Sequence, residues 1–332
     1  MSDRGVLFVS YRDTVALLSV ADSMAICEQV YLMHARGSVV SSDPSALRLS
    51  EDESHHNHWQ VKAVLLKDLP ATGVRFSNYY ADGVRDENSA LHSTRYVALS
   101  DPNSGAPLAI VDEHWNYGLR SGASAAVACK WLAVKNPKIL GLVGVGHMGT
   151  NSLRCLASLY SFDEIRCTSR RPETRNMFAD KWAKELGVPV VPMNCVADVV
   201  QGSDIVVGGT SSAEILVDEP LLKPGCTFVM LSRYDLDPAG WGRMDKVVVD
   251  SWEVNMSIPN FSQMVEAGQF SELQLYAEIH EIVSGSKKGR ESEHERILIR
   301  AAGLVSQDVA LAHFVYQRAR EKGLGVWLPA TQ

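Results

Sequence analysis

The chain lacks the patterns that announce a metal centre, a disulfide scaffold or a membrane span. Its six cysteines, at positions 27, 129, 155, 167, 195 and 226, include no Cys-x-x-Cys pair. Most lie in apolar or helical surroundings, which suits buried free thiols in a reducing compartment. His55, His56 and His58 cluster in a polar stretch with no later Cys or His pair at ligand spacing, so they read as a solvated loop and no metal site is expected. No apolar run reaches the roughly 18 residues that a membrane span needs. The N-terminus, Met1-Ser2-Asp3-Arg4 and soon Asp13, has neither the apolar stretch nor the small-residue cleavage site of a secretory signal, which makes the cytoplasm the expected location. Basic residues are also short, 32 against 39 acidic ones, for a formal charge of −7. Nucleic acid and anionic membranes need a basic surface, so neither is expected as a partner. An anionic small ligand needs only one local basic cluster.

What is present points to two domains in 332 residues. Apolar residues at helical spacing (Val15, Leu18, Ala25, Val30, Met33) predict one helix within Val15–Val40. Runs at 61–66, 73–79, 96–100 and 107–111 predict strands, and Asp101-Pro102-Asn103-Ser104-Gly105 is turn chemistry that makes the last two a hairpin. An alanine-rich helix is expected over Tyr117–Val134. From Lys138 the pattern changes to short apolar runs at 138–143, 164–169, 188–191, 204–208, 227–231 and 246–250, separated by helical segments at 147–160 and 172–186. Strands alternating with helices mean a parallel sheet with right-handed crossovers. Residues from about 295 to 320 (Ile297, Ala301, Leu304, Val309, Leu311, Val315) again read as helix, after the expected end of that sheet. The predicted fold is α/β. A Rossmann-type doubly wound domain spans 126–299, and a mixed α+β domain spans 1–125 and is completed by 300–332.

Gly144-Val145-Gly146-His147-Met148-Gly149 fits G-x-G-x-x-G between an apolar strand and a helix, the context a dinucleotide site requires. The first glycine allows the tight turn, the second lets backbone approach a diphosphate, and the third lets helix and strand pack closely. The helix N-terminus adds N–H donors and partial positive charge. An NAD site usually has Asp or Glu at the tip of the second strand, for the ribose hydroxyls. Here the tip reads Cys167-Thr168-Ser169-Arg170-Arg171. A hydroxyl and two arginines suit a 2′-phosphate, so NADP is the expected cofactor and NAD the alternative.

With that motif placed, the flanks resemble the ornithine cyclodeaminase/mu-crystallin family, between about residues 70 and 325. Asp101-Pro102 with Gly105-Ala106-Pro107-Leu108-Ala109 is similar to the family's D-x-x-T-G-x-P-L-A hairpin, and Leu119-Arg120-Ser121-Gly122-Ala123-Ser124 to its R-T-A-A-A helix start. Leu140–Gly149 is similar to its L-G-x-x-G-x-G-x-x-G turn, and Glu281-Ile282-Val283-Ser284-Gly285 with Gly289-Arg290 to its E-I-V-x-G…G-R segment. Gly303-Leu304 with Asp308-Val309-Ala310 resembles its G-x-x-x-x-D-x-A helix. The resemblance implies a homodimer whose chain ends form the substrate domain. It also implies NAD(P)H-dependent hydride transfer at the C=N or CH–NH bond of a small imino or amino acid, as in imine reductases and amino-acid dehydrogenases. A cyclodeaminase-type ammonia lyase holding NAD, and an NADPH-binding protein without turnover, are the alternatives it carries.

A substrate carboxylate needs a fixed cation, and arginine supplies a two-toothed one. The resemblance puts Arg120 in that role, at the start of its helix, with Arg48 as an earlier substrate arginine. It also places the hydroxylic loop Thr210-Ser211-Ser212 beside the cofactor, through backbone or hydroxyl contacts. Two departures stand out. Where the family has a lysine after a glycine–hydrophobic pair, this chain reads Gly73-Val74-Arg75-Phe76. Arg75 can bind a carboxylate but cannot donate a proton near neutral pH. Where the family has a glycine and an acidic aspartate, this chain reads Met230-Leu231-Ser232-Arg233-Tyr234-Asp235. Asp235 either takes the acid role or begins the next helix with Asp237-Pro238. Both departures weigh against a cyclodeaminase. His92 and His114 are proton carriers by residue type, though each reads more readily as structural.

Overall fold

The computed structural model describes residues 5–42, 45–48, 58–79, 94–212, 214–232 and 235–329, with 45–48, 58 and 79 by backbone alone. The chain divides into two compact units, residues 1–117 with 305–332 and residues 118–304. The first division falls earlier than the sequence reading placed it and the second later. No single helix among the described residues is long and apolar enough to cross a membrane.

The first unit is a mixed sheet. It holds β1 (Gly5–Val9), β2 (Val39–Ser41), β3 (Ser45–Arg48), β4 (His58–Leu66), β5 (Ala71–Tyr79), β6 (Arg95–Ser100), β7 (Pro107–Asp112) and β16 (Val326–Pro329). The order is β16-β1-β7-β6-β5-β4-β2, with β3 also on β4. β1 and β7 are parallel and the remaining pairs antiparallel. The expected 96–111 hairpin is β6–β7, closed by Asp101, whose Oδ1 accepts the N–H groups of Asn103 and Ser104. Helix α11 (Val305–Lys322) packs along the sheet and buries Val309, Leu311, Ala312 and Val315. Residues of opposite parity on the strands stay half-exposed. Their register lines Ala63, Val74, Ala98, Ile110 and Phe8 into one apolar row across five strands.

The single helix expected near residue 15 is two, α1 (Tyr11–Leu17) and α2 (Val20–Ala35), meeting at 85°. Each starts with its own capping box, Ser10 with Asp13 and Ser19 with Asp22. A serine that takes the N3 amide ends any continuous helix at that point. The periodic apolar pattern carried through the break and hid it. β1, absent from the sequence reading, is the apolar run Gly-Val-Leu-Phe-Val.

The second unit is an eight-stranded, fully parallel sheet. Its strands are β8 (Ile139–Val143), β9 (Glu164–Thr168), β10 (Val190–Pro192), β11 (Ile205–Gly208), β12 (Thr227–Met230), β13 (Lys246–Val249), β14 (Ala277–Glu278) and β15 (Ile297–Arg300). Helices α4 (His147–Leu159), α5 (Pro172–Leu186), α6 (Val196–Val200), α7 (Pro238–Trp241), α8 (Trp252–Met256), α9 (Pro259–Glu266) and α10 (Ile279–Val283) connect them, and α3 (His114–Leu132) enters from the first unit. The order β10-β9-β8-β11-β12-β15-β13-β14 reverses direction between β8 and β11. In a doubly wound sheet that reversal opens a crevice at the carboxyl ends of the two strands.

The sequence reading of one helix over 295–320, beyond the sheet, is corrected here. Ile297–Arg300 is β15, in register with both β12 and β13 and buried at every residue. A run of consecutive apolar residues has no period of its own, so Ile297 and Ala301 fell into phase with the real helix that begins at Val305. The burial gives a test. Ile299, fully buried in the sheet, is expected to cost about 2–5 kcal/mol on change to alanine, read by urea unfolding. A loss below about 0.5 kcal/mol, typical of surface positions, would take it out of the core.

Candidate dinucleotide and substrate sites

At the β8–β11 switch point the backbone alone builds a cradle. β8 ends at Val143, and Gly144 turns with φ +97°, a region side chains rarely adopt. Its N–H donates to the Thr168 carbonyl (3.1 Å) at the end of β9, and the Gly209 N–H donates to the Val143 carbonyl (2.9 Å). A Cβ on Gly144 would lie 2.9 Å from both the Gly209 carbonyl oxygen and Thr210 Cγ2, and one on Gly149 would strike the Gly144 carbonyl. Three strand ends and the first turn of α4 therefore meet without intervening side chains. A Cβ on Gly146 would meet nothing within 4 Å, so that face of the turn is open.

Gly146 is the N-cap of α4 and has no side chain to cap the first-turn N–H groups, and no acid stands in that turn. These amides and the helix dipole suit a diphosphate. His147 and Met148 occupy the same turn. The His147 ring lies against the bare Cα of Gly118, and Met148 faces Gly209. The structure thus brings together Gly144, Gly146, His147, Met148, Gly149 and Thr210, as the sequence reading grouped them. One detail differs. The Thr210 hydroxyl donates to Asp235 Oδ1 (3.3 Å) and accepts the Ser212 N–H (3.2 Å). It is used inside the loop, which leaves the backbone of Thr210 for a ligand.

Beside the cradle, β9 ends at Thr168 and the loop Ser169–Arg171 leads into α5. Ser169 donates its hydroxyl to the Arg171 carbonyl (2.9 Å), and its own carbonyl accepts from Arg175 Nη1 (3.0 Å). Arg170 and Arg171 are exposed, and among the described residues neither has an ion-pair partner. No carboxylate stands at the tip of the strand. The cradle and this basic tip fit a nicotinamide dinucleotide.

Asp235 is the residue the sequence reading left undecided. It is 1% exposed, beside Thr210, and its Oδ2 fills the space a Cβ on Gly208 would need. Burial holds its carboxyl above the ordinary carboxylate range, against the pull of Ser232, Thr210 and Arg300.

Arg120 is buried on α3. It is not at the helix start. The helix begins at His114, whose N–H donates to Asp112 Oδ1 (3.0 Å). That oxygen also lies 3.0 Å from His114 Nδ1, which fixes the imidazole. The helix dipole consequently adds little at Arg120, because it falls off within the first turn. Arg75 also differs from its expected substrate role. Its Nε lies 2.6 and 2.8 Å from the two oxygens of Glu113 and 3.5 Å from Asp308 Oδ2, with Arg75 3% and Glu113 0% exposed. A guanidinium so deeply buried needs its counter-charge inside the fold, and Glu113, which no family motif flagged, supplies it. Tyr117 stacks with Arg75 and, at 4.1 Å, with Arg95. Arg48 closes β3 opposite His58, but its side chain lies outside the described residues, as does His92.

The chain belongs to the ornithine cyclodeaminase/mu-crystallin family, whose model it matches over residues 7–323. It is similar to N-((2S)-2-amino-2-carboxyethyl)-L-glutamate dehydrogenase of Staphylococcus aureus, 28% identical over 70% of each chain. It is likewise similar to Delta(1)-pyrroline-2-carboxylate reductase of Bacillus cereus, 28% identical over 69% of this chain and 72% of that one. Among solved structures, Delta(1)-pyrroline-2-carboxylate reductase of Thermococcus litoralis, in complex with NADH and L-proline, superposes with a TM-score of 0.90. That match is at 26% identity over 97% of this chain and 100% of that one.

The Asp235 environment fixes a pH dependence. Its folded-state pKa is raised, so ionising the carboxyl costs stability in the fold that the unfolded chain does not lose. The penalty builds as pH rises above the ordinary carboxylate range of the unfolded chain and is complete once pH passes the raised folded value. Asp235→Asn is expected to match wild-type stability below about pH 4 and to exceed it at pH 8, by denaturant midpoint. A variant less stable than wild type at both values would contradict the buried-acid environment.

Proposed function

We propose that this chain is an NAD(P)H-dependent oxidoreductase acting on the C=N or CH–NH bond of a small imino or amino acid, with NADP preferred. The single observation that carries the reading is the glycine cradle at the β8–β11 switch point, flanked by a strand tip with no acid and two arginines that have no ion-pair partner among the described residues. When bound there, a nicotinamide cofactor supplies the hydride for the C=N carbon. The first-turn amides of α4 bind its diphosphate. Arg170 and Arg171 bind the 2′-phosphate through charge-assisted bonds, and the backbone of Gly209 and Thr210 borders the turn. Arg120 holds the substrate carboxylate as a fork. The imine and amino-acid chemistry of the relatives named above supports this substrate class.

The reading extends to assembly and location. The half-exposed apolar row across the first unit's sheet supports a homodimer, since a second copy would cover it. The five buried free cysteines suit a reducing, cytoplasmic setting.

The test is absorbance at 340 nm with Delta(1)-pyrroline-2-carboxylate, and with pyruvate plus ammonium, under NADPH and NADH in turn. Oxidation of NADPH by an imine is the expected result. Ammonia release from ornithine without net cofactor consumption would contradict it. The cofactor preference has its own readout. Arg170→Asp with Arg171→Ala should weaken NADPH binding by about 1.5–3 kcal/mol per lost bond and leave NADH binding nearly unchanged. Equal loss for both cofactors would remove the 2′-phosphate role.

A further inference from the structure

We propose that Gly303 is a positioning residue for Arg120, its bare Cα making room for the edge of the guanidinium at a backbone seat that the buried Asp250 locks in place. The proposal rests on the reading that Arg120 binds the substrate carboxylate, and it adds how the fork is aimed. A Cβ on Gly303 would clash with Arg120 Nη1, and would lie 2.9 Å from Cζ and 3.1 Å from Nη2. Nη1 is the nearest atom, and Cζ and Nη2 lie further off, so the guanidinium meets the glycine edge-on, Nη1 first. Arg120 is 5% exposed, so its fork is held by surrounding groups and not by solvent.

The seat is held from behind. Gly303 has φ +97°, and its N–H donates to Asp250 Oδ2 at 2.5 Å. The other carboxylate oxygen of Asp250 accepts the Ser251 N–H (3.0 Å) and Asn255 Nδ2 (2.9 Å). Asn255 Oδ1 in turn accepts from Arg300 Nε at 3.3 Å. Asp250 follows β13 and Gly303 follows β15, and Val249 and Arg300 at the ends of those strands are in register. Strand pairing in the sheet therefore sets where the seat lies. Two features at residue 303 serve one end: the positive φ aims the N–H at Asp250, and the absent side chain clears the face for Arg120. A bidentate grip depends on the plane of the fork, and a misplacement of about 1 Å in a positioning group can cost about 10²-fold in rate.

The experiment is a double-mutant cycle of wild type, Gly303→Ala, Arg120→Ala and the double variant. Three readouts are taken: kcat/KM for Delta(1)-pyrroline-2-carboxylate, NADPH affinity by fluorescence titration, and the urea unfolding midpoint. Gly303→Ala is expected to lower kcat/KM by about 10- to 100-fold while NADPH affinity stays within about twofold. In the Arg120→Ala background the same substitution is expected to change kcat/KM by less than about twofold, because no guanidinium remains to be displaced. The unfolding midpoint is expected to fall more on Gly303→Ala when Arg120 is present than when it is absent. Equal effects in both backgrounds, in rate and in midpoint, would overturn the seat and reduce Gly303 to a backbone role. If Gly303→Ala does not fold, Asp250→Asn replaces it in the cycle, with the same expectation and the same contradicting result. Should the wild type reduce no imine, the midpoint comparison still decides the seat, and only the carboxylate reading of Arg120 falls.

Discussion

The contact on which the rest depends is the one between the first turn of α4 and the end of β8, where Gly149 rests against the Gly144 carbonyl. No side chain intervenes, so helix and strand approach as closely as backbones can. That closeness places the N-terminal turn of α4 at the switch point. It also ties in the flanking strands, through Gly144 N–H to Thr168 and Gly209 N–H to Val143. Ser169–Arg171 and Gly209–Thr210 reach the cradle only because those two bonds bring them there.

Charge is distributed unevenly around this frame. The chain is acidic overall, yet the tip of β9 is basic and, among the described residues, without an ion-pair partner. Inside the first unit, by contrast, Arg75 is surrounded by Glu113 and Asp308, all three nearly inaccessible. Two buried carboxylates approach the Nε of this guanidinium inside the fold. Arginines of the same type thus differ in what they can do for a ligand, and burial with a partner separates them. Arg75 is buried against carboxylates of its own chain, while Arg170 and Arg171 are exposed and have no ion-pair partner among the described residues.

The parallel strands were legible because buried strands in such a sheet are short apolar runs between helices, and the glycine motif coincides with the turn from β8 into α4. The failures have physical causes. Ile297–Arg300 is such a run next to a true helix, and period alone cannot divide them. The start of α3 is set by Asp112 acting as a cap, and the alanine-rich stretch drew attention three residues too late. Arg75 carries no mark in the sequence of the carboxylate 38 positions away that claims it. Asp235 meets Thr210 across 25 residues, with a loop of unfamiliar pattern between. Some legible motif residues prove structural. Arg290 donates to the carbonyls of Leu132, Ser292 and Glu295 and to the Thr227 hydroxyl, pinning its loop to the end of α3.

The backbone cradle is tested most directly at Gly146, where a side chain has room in the protein but not beside a diphosphate. Titration of NADPH into Gly146→Val, with thermal unfolding of variant and wild type alongside, separates the two demands. The expected result is an unchanged melting temperature and loss of NADPH binding. Normal NADPH affinity in the folded variant would show that the dinucleotide is held elsewhere.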